Sequence, residues 1–151
     1  MGKNNKIKVL FLCTGNTARS HMAQAYLKHI AGEYFEPYSA GLEPGQIHPL
    51  TVQVMEEENI SLDDHFSKHL NQYLGKKHFG YMITVCNHAN DNCPSVFPGM
   101  GKRLHWDIED PVAFQGTEEE KVAKFREVRE DVKHRIKRWI EELGFDLEGN
   151  E

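Results

Sequence analysis

The sequence of 151 residues has no apolar run long enough to span a membrane, and no apolar segment of signal-peptide length follows its N-terminus. It also lacks internal repeats, low-complexity segments and any stretch with the composition of an interdomain linker. The formal net charge is -5 and there is no run of basic residues, which argues against nucleic acid as the main partner. These absences predict a single domain over residues 1–151, a cytoplasmic monomer with no membrane or nucleic-acid partner.

Cysteine is scarce, with three residues in the chain: Cys13, Cys86 and Cys93. A domain of this length buries a sufficient core without disulfides, and an odd number of cysteines cannot be fully paired. A reduced protein is the simplest interpretation. Together with the segment that follows Cys13, the three thiols indicate redox chemistry rather than simple hydrolysis.

Predicted strands and helices alternate along the chain. Short runs bounded by turn residues predict four strands, over residues 8–12, 35–40, 81–85 and 103–108. Predicted helices cover 20–31, 49–58 and a short segment from 67, and a last one follows the capping box of Thr117 and Glu120. This alternation is typical of an α/β protein with a parallel sheet covered on both faces, whose ligands bind beyond the carboxyl ends of the strands. Cys13, Cys86 and Asp110 all follow predicted strand ends.

The segment from Cys13 to Ser20 reads CTGNTARS and joins the first predicted strand to the first predicted helix. Gly15 allows a positive φ, so that successive backbone N–H groups turn inward around one centre, and the helix start adds partial positive charge. Arg19 supplies a planar fork that matches two oxygens of a tetrahedral anion, while the same field lowers the pKa of Cys13 and makes it a nucleophile. The sequence therefore predicts an oxyanion-binding loop formed by Thr14, Gly15, Asn16, Thr17, Ala18, Arg19 and Ser20.

Within this loop, the hydroxyl groups of Ser20 and Thr14 are expected to donate to the Cys13 thiolate, and the amide of Asn16 is expected to brace the loop. The competing interpretation is a buried free cysteine before an ordinary turn, with Arg19 on the surface. The offsets of Cys, Gly, Arg and Ser between a strand and a helix favour the binding loop.

The segment resembles the phosphate-binding loop of the low-molecular-weight tyrosine phosphatase superfamily, including its arsenate reductase branch. The resemblance covers nearly the whole chain, through residues 13–20, 38–41, 86–94 and 105–111. It implies a flavodoxin-like, three-layer α/β fold with a four-stranded parallel sheet. It also places the general acid on Asp110, for which Asp107 and Glu109 are neighbouring competitors.

Six residues separate Cys86 from Cys93, a gap too long for a redox CxxC pair or a compact zinc knuckle. The resemblance to the thioredoxin-coupled reductases implies that both thiols relay electrons. Cys13 would attack arsenate, and Cys86 would then form a disulfide with Cys13. Cys93 would attack Cys86 in turn, which forms a Cys86–Cys93 disulfide and releases Cys13. Thioredoxin or a similar dithiol protein would regenerate the thiols, and neither a metal nor an organic cofactor is expected.

Two departures from the related reductases are informative. Many of them carry a further cysteine where this chain has Ala18. In some, a potassium ion lies beside the loop and is held partly by carboxylates, at positions that align with Gln24 and Lys68. Because both negative charges are lost, we expect the Lys68 ammonium to take the place of that ion.

Three alternatives remain at this point. A low-molecular-weight tyrosine phosphatase would share Cys13, Arg19 and Asp110, although this chain has His21 where those enzymes usually place proline. It also has Val112 where they carry tyrosine.

A non-catalytic thiol protein that binds arsenic or a soft metal would give Arg19 and Asp110 no role. A metal site of Cys86, His88, Cys93 and His105 matches no common zinc spacing. Six other histidines are interpreted as surface or helix-face residues: His21, His29, His65, His69, His78 and His134.

Overall fold

The computed structural model of the protein describes residues 6–73, 76–85 and 100–145. The strands are β1 (Ile7–Cys13), β2 (Phe35–Gly41), β3 (Phe79–Thr84) and β4 (Met100–His105). The helices are α1 (Arg19–Ala31), α2 (Pro49–Glu56) and α3 (Glu118–Glu142), and a single 3-10 turn lies at Leu70–Gln72.

All four strands are parallel and lie in the order β2-β1-β3-β4, which confirms the predicted α/β architecture. The central strand β1 has no exposed side-chain surface from Val9 to Leu12. Such burial on both faces explains why this strand reads as a continuous apolar run rather than an alternating one. Cys13 pairs with Gly41 of β2, and Leu12 pairs with Thr84 of β3, so three strands end at the same edge.

The last helix begins where its capping box predicts. The Thr117 hydroxyl accepts a hydrogen bond from the Glu120 amide at 3.1 Å, and the Glu120 carboxylate accepts one from the Thr117 amide at 2.8 Å. The helix ends before Gly144, whose φ of +90° belongs to the left-handed region that favours glycine. Trp139 near its end contacts the rings of Phe35 and Tyr81, so α3 packs against the sheet.

Strand β4 lies three residues earlier than the sequence predicts, and residues 106–110 leave the sheet. This edge strand exposes Gly101 and Lys102, so it carries no apolar pattern to mark it. At Gly101 a Cβ would stand 2.6 Å from the carbonyl oxygen of Gly80, and only glycine allows the two strands to approach so closely. The short helix predicted from residue 67 is the 3-10 turn at Leu70–Gln72.

None of the helices within the described ranges combines the length and the apolar character that a membrane span requires.

Candidate active site

The predicted oxyanion loop lies at the carboxyl edge of the sheet. Cys13 is the last residue of β1 and is 2% exposed, whereas Arg19 is the first residue of α1 and is 8% exposed. The loop borders an open cavity of about 400 Å³. The cavity lining consists of Cys13, Thr14, Gly15, Thr17, Ala18, Arg19, Glu43, Asp110 and Val112.

Every backbone carbonyl from Cys13 to Ala18 accepts a hydrogen bond from a residue that follows the loop in the chain. The donors to residues 13, 14, 15 and 17 are the backbone amides of Leu42, Glu43, Gly45 and His48, at 2.8–3.2 Å. The hydroxyl of Ser67 donates to the carbonyl of residue 16 at 2.6 Å, and the amide of Met22 donates to that of residue 18 at 2.9 Å. Because the carbonyls face outward, the N–H side of the loop and the start of α1, which has no side-chain cap, are left for an anion.

The loop reverses direction at Asn16 rather than at Gly15. Asn16 has a φ of 53°, while Gly15 does not adopt a positive φ, so the prediction that glycine supplies this conformation is wrong. Asparagine tolerates the left-handed region because its short polar side chain bonds to nearby groups. Here the Asn16 side chain accepts from the Lys68 amide at 2.9 Å and donates to the Ser20 hydroxyl at 2.8 Å.

The Cys13 sulfur lies within a set of donors. The Asn16 amide donates to Sγ at 3.0 Å, and the Ser20 hydroxyl lies 3.0 Å from Sγ. Ser20 Oγ accepts from the Asn16 side chain, and its own proton is available to a thiolate at this distance. Donors at a sulfur stabilise the thiolate over the thiol. The predicted bracing by Asn16 and the predicted contact of Ser20 are both present, while Thr14 lines the cavity.

The guanidinium of Arg19 is anchored at one end. Its Nη1 donates to the carbonyl of Ile108 at 2.9 Å and to that of Val85 at 3.4 Å, the segments that follow β4 and β3. Its Nε is buried and makes no hydrogen bond with the described residues. A buried unsatisfied donor costs about 1–3 kcal/mol, so a bound oxyanion that accepts from Nε and Nη2 would relieve a cost already present.

Of the three candidate acids, the structure places Asp110 at the cavity. One carboxylate oxygen of Asp110 lies 3.6 Å from Nη2 of Arg19, and the other accepts from the Val112 amide at 2.9 Å. Glu109 pairs instead with Lys124 at 3.1 Å. Of the three predicted candidates, Asp110 is the one that lines the cavity with Cys13, where Glu43 is a second carboxyl group.

A buried lysine lies behind the loop. Lys68 is 6% exposed, and its Nζ donates to the Ser39 hydroxyl at 3.2 Å and to the Phe66 carbonyl at 2.7 Å. Ser39 in turn donates to the Gln24 side-chain oxygen at 2.6 Å. Burial lowers the pKa of Lys68 to about 8, against an opposing effect of the Cys13 charge.

Two histidines interpreted as surface or helix-face residues pack together beside this lysine, where His21 on α1 is buried and His65 is half-buried. His21 has no exposed surface, and its Nδ1 lies 3.0 Å from Nδ1 of His65. Burial, followed by the charge of Lys68, lowers the pKa of His21 to about 3 and that of His65 to about 4. Both rings are therefore neutral near pH 7. Their pairing joins α1 to a distant segment, so no local sequence signal could have predicted it.

Cys86 and Cys93 lie outside the described residues, as does His88 of the alternative metal site. Within the described ranges there is no group of three or more His, Cys, Asp or Glu residues able to hold a metal ion. His105, the remaining member of that alternative, lies 2.8 Å from the Thr84 hydroxyl through its Nδ1.

Comparison with known proteins finds arsenate reductases among the relatives of this chain. An arsenate reductase of Halalkalibacterium halodurans is 40% identical over 137 residues, which cover 91% of this chain and 97% of that protein. A solved arsenate reductase in the phosphate-binding state superimposes with a TM-score of 0.77 at 27% identity, over 91% of this chain and 99% of the other. A thioredoxin-dependent arsenate reductase of Corynebacterium glutamicum superimposes with a TM-score of 0.68 at 30% identity, over 91% of this chain and 62% of the other.

The sequence profile of the low molecular weight phosphotyrosine protein phosphatase family matches residues 8–148. The matched range begins at the second residue of β1 and extends beyond α3, so it includes the loop, Arg19 and Asp110 as well as all but the first residue of the sheet. The chain belongs to the low molecular weight phosphotyrosine protein phosphatase family.

Proposed function

We propose that the protein is a cytoplasmic arsenate reductase that converts arsenate to arsenite through thiol chemistry and is regenerated by thioredoxin or a similar dithiol protein. The observation that carries this proposal is the Cys13 sulfur, held by two donors at the floor of an oxyanion cavity beside Arg19 and Asp110. Its likeness to arsenate reductases at 40% identity supports the same activity.

Binding comes first. The arsenate oxygens would accept from N–H groups of the loop formed by Thr14, Gly15, Thr17 and Ala18 and from Ser20 in the first turn of α1, while the Asn16 amide stays with the Cys13 sulfur. Two further oxygens would accept from Nε and Nη2 of Arg19, whose Nη1 stays bonded to Ile108. The anion is thus positioned with arsenic above the Cys13 sulfur.

The first chemical step is displacement at arsenic. The Cys13 thiolate attacks arsenic(V) and forms a sulfur–arsenic bond, while one arsenic–oxygen bond breaks. The departing oxygen is a poor leaving group, so Asp110 donates a proton and the oxygen leaves as water. The Arg19 fork offsets the negative charge that develops on the remaining oxygens.

The reduction step needs a second thiol. The Cys86 thiolate would attack the sulfur of Cys13 and form a disulfide, and the electron pair of the broken sulfur–arsenic bond would pass to arsenic, which leaves as arsenite. Cys93 would then attack Cys86 and release Cys13 as a thiolate. The resulting Cys86–Cys93 disulfide takes two electrons from the external dithiol, so each cycle balances.

Phosphomonoester hydrolysis is the second candidate, because it uses the same Cys13, Arg19 and Asp110. The described lining of the cavity argues against it as the main activity: Glu43 and Val112 stand at the cavity, and among the described residues no aromatic side chain lines it. This part of the lining gives an aryl phosphate no ring to stack on, whereas a small inorganic oxyanion needs none. We expect weak phosphatase activity only.

The decisive experiment follows arsenite release with thioredoxin, thioredoxin reductase and NADPH, in the wild type and in Cys93→Ser. Multiple turnovers by the wild type and one turnover or fewer by the variant are expected. Equal hydrolysis of an aryl phosphate by both proteins, with arsenate reduced by neither, would identify a phosphatase. Stoichiometric arsenic binding that survives in Arg19→Ala would identify a thiol-based binder.

A further inference from the structure

Lys68 places an ammonium group in the protein interior, and no carboxylate of the described residues forms an ion pair with it. It is 6% exposed, and the partners of its Nζ among the described residues are the Ser39 hydroxyl and the Phe66 carbonyl, both neutral. Phe66 also places its ring 4.8 Å from the ammonium. Burying an ammonium without an opposite charge is costly, so its position calls for a reason beyond packing.

The backbone of Lys68 is fixed to both sides of the site. Its amide donates to the Asn16 side chain at 2.9 Å, and its carbonyl accepts from the Gly41 amide at 2.8 Å. The Ser39 hydroxyl donates its proton to the Gln24 side chain, so the lone pairs of the Ser39 oxygen face the Lys68 Nζ. The lysine therefore occupies a prepared set of oxygen acceptors behind the loop.

A short path of hydrogen bonds connects the Lys68 backbone to the nucleophile and fixes the buried ammonium group behind the loop. Asn16 accepts from the Lys68 amide with its side chain and donates to the Cys13 sulfur with its own amide at 3.0 Å. The Cys13 charge raises the pKa of Lys68 against the effect of burial. The interaction is reciprocal, so a protonated Lys68 favours the thiolate of Cys13 over the thiol by the same free energy with which the thiolate favours the protonated lysine.

Other titratable groups near Lys68 do not supply this charge. His21 on α1 and His65 in the preceding segment are neutral near pH 7, because burial holds their pKa values at about 3 and about 4. The charges of Lys28 on α1 and of Asp64 affect the pKa of His65. Lys28 is exposed to solvent. Lys68 is the cation that lies behind the loop in the described part of the chain.

The same residues do not fit a potassium ion. Related reductases that hold potassium use carboxylates at positions that align with Gln24 and Lys68, and here one is an amide and the other is itself a cation. The Ser39 and Phe66 oxygens, which are hard ligands of the kind an alkali cation takes, already accept hydrogen bonds from the ammonium.

We propose that Lys68 is a positioning residue whose ammonium serves as a built-in cation behind the oxyanion loop, favouring the Cys13 thiolate in place of a metal ion. This inference rests on the proposed role of Cys13 as nucleophile. It concerns the charge state of the thiol before any arsenate is present, so it is tested without arsenate.

The experiment measures the rate of Cys13 alkylation by iodoacetamide between pH 4 and 9, with peptide mass spectrometry to separate Cys13 from Cys86 and Cys93. Lys68→Met and Lys68→Gln both remove the charge, and the second keeps a polar head group. We expect the midpoint of the alkylation profile to rise by about one pH unit in each variant. At pH values below the midpoint this corresponds to alkylation that is slower by about tenfold. Lys28→Met removes the same charge from an exposed position on α1 and should leave the midpoint unchanged.

An unchanged midpoint in both neutral variants overturns the proposal and leaves Lys68 a packing residue. The wild type provides a test that does not depend on how the variants fold. Its unfolding temperature and its alkylation profile should be the same in KCl and in NaCl of equal ionic strength. A rise in unfolding temperature specific to potassium would also overturn the proposal. Loss of arsenate reduction alone would argue against the proposed function and not against this role of Lys68, since none of these measurements uses arsenate.

Discussion

Arg19 connects three parts of the site through one side chain. Its Nη1 bonds to the carbonyls of Val85 and Ile108, and its Nη2 lies 3.6 Å from Asp110. A lysine at position 19 would keep the charge and lose the planar fork. Its single ammonium cannot both bond to those carbonyls and offer two donors to an oxyanion.

We therefore predict that Arg19→Lys lowers kcat/KM for arsenate by about 100-fold or more, while Cys13 is still alkylated by iodoacetamide. Steady-state kinetics and alkylation on the same preparation provide the measurement. A variant that retains more than about a tenth of wild-type kcat/KM would show that charge alone is sufficient at this position.

At this scale the sequence predicted the residues and missed part of their geometry. The spacing of Cys13, Arg19 and Ser20 places them together because a strand end and a helix start are rigid. The turn at Asn16 depends on its bond to Lys68, which is 52 residues away in the chain. Contacts of that kind leave no local pattern, and the same holds for His21 and His65.

Helix α3 depends on its capping box. Thr117→Ala would remove the hydroxyl that accepts from the Glu120 amide and lower the free energy of unfolding by about 1 kcal/mol. For a domain of this size that corresponds to a fall in Tm of about 2–4 °C. Calorimetry would measure it, and Thr117→Ser, which keeps the hydroxyl, should stay close to the wild type. Arsenate reduction should be unchanged, because the cap lies outside the cavity lining.

An ion-pair network joins the end of α2 to α3. The Glu57 carboxylate accepts from Arg126 at 2.7 Å and from Arg129 at 2.8 Å. The hydrogen bond from Arg126, followed by that from Arg129, lowers the pKa of Glu57 to about 2.

A carboxyl group with a lowered pKa stabilises the folded state above its ordinary pKa of 4.5, and the contribution disappears as the pH falls through about 2. Glu57→Gln should therefore lower the urea midpoint at pH 7, and the difference from the wild type should shrink steadily between pH 4.5 and 2. Urea unfolding at several pH values measures this. A difference that stays constant with pH would mean that the ion pairs contribute nothing.

Elements whose own residues carry a clear pattern were predicted from the sequence with starts close to those in the structure. Strand β1 has its apolar run, α2 begins at the predicted Pro49, and α3 begins after the predicted cap. The bounds predicted for the exposed edge strand β4 were displaced, because its pairing with β3 rather than its own composition defines the strand.

For the whole molecule we predict a monomer. Among the described residues, the large hydrophobic side chains that are exposed are Phe66 and Val112, at 58% and 41%. Two separate side chains do not form an apolar patch of the size found at stable interfaces. Light scattering after gel filtration should give a mass of 17.4 kDa at micromolar concentration. A mass of twice that value, independent of dilution, would contradict the prediction.

The 2% exposure of Cys13 has a consequence for the partners that the protein can use. The thiol of a separate protein or a bulky disulfide has little access to a sulfur that is 2% exposed in a cavity of about 400 Å³, whereas an inorganic oxyanion fits there. Access thus separates the reactants by size. It protects the nucleophile from unwanted disulfide exchange, and it requires electrons from a macromolecular donor to arrive through a thiol carried by the chain itself.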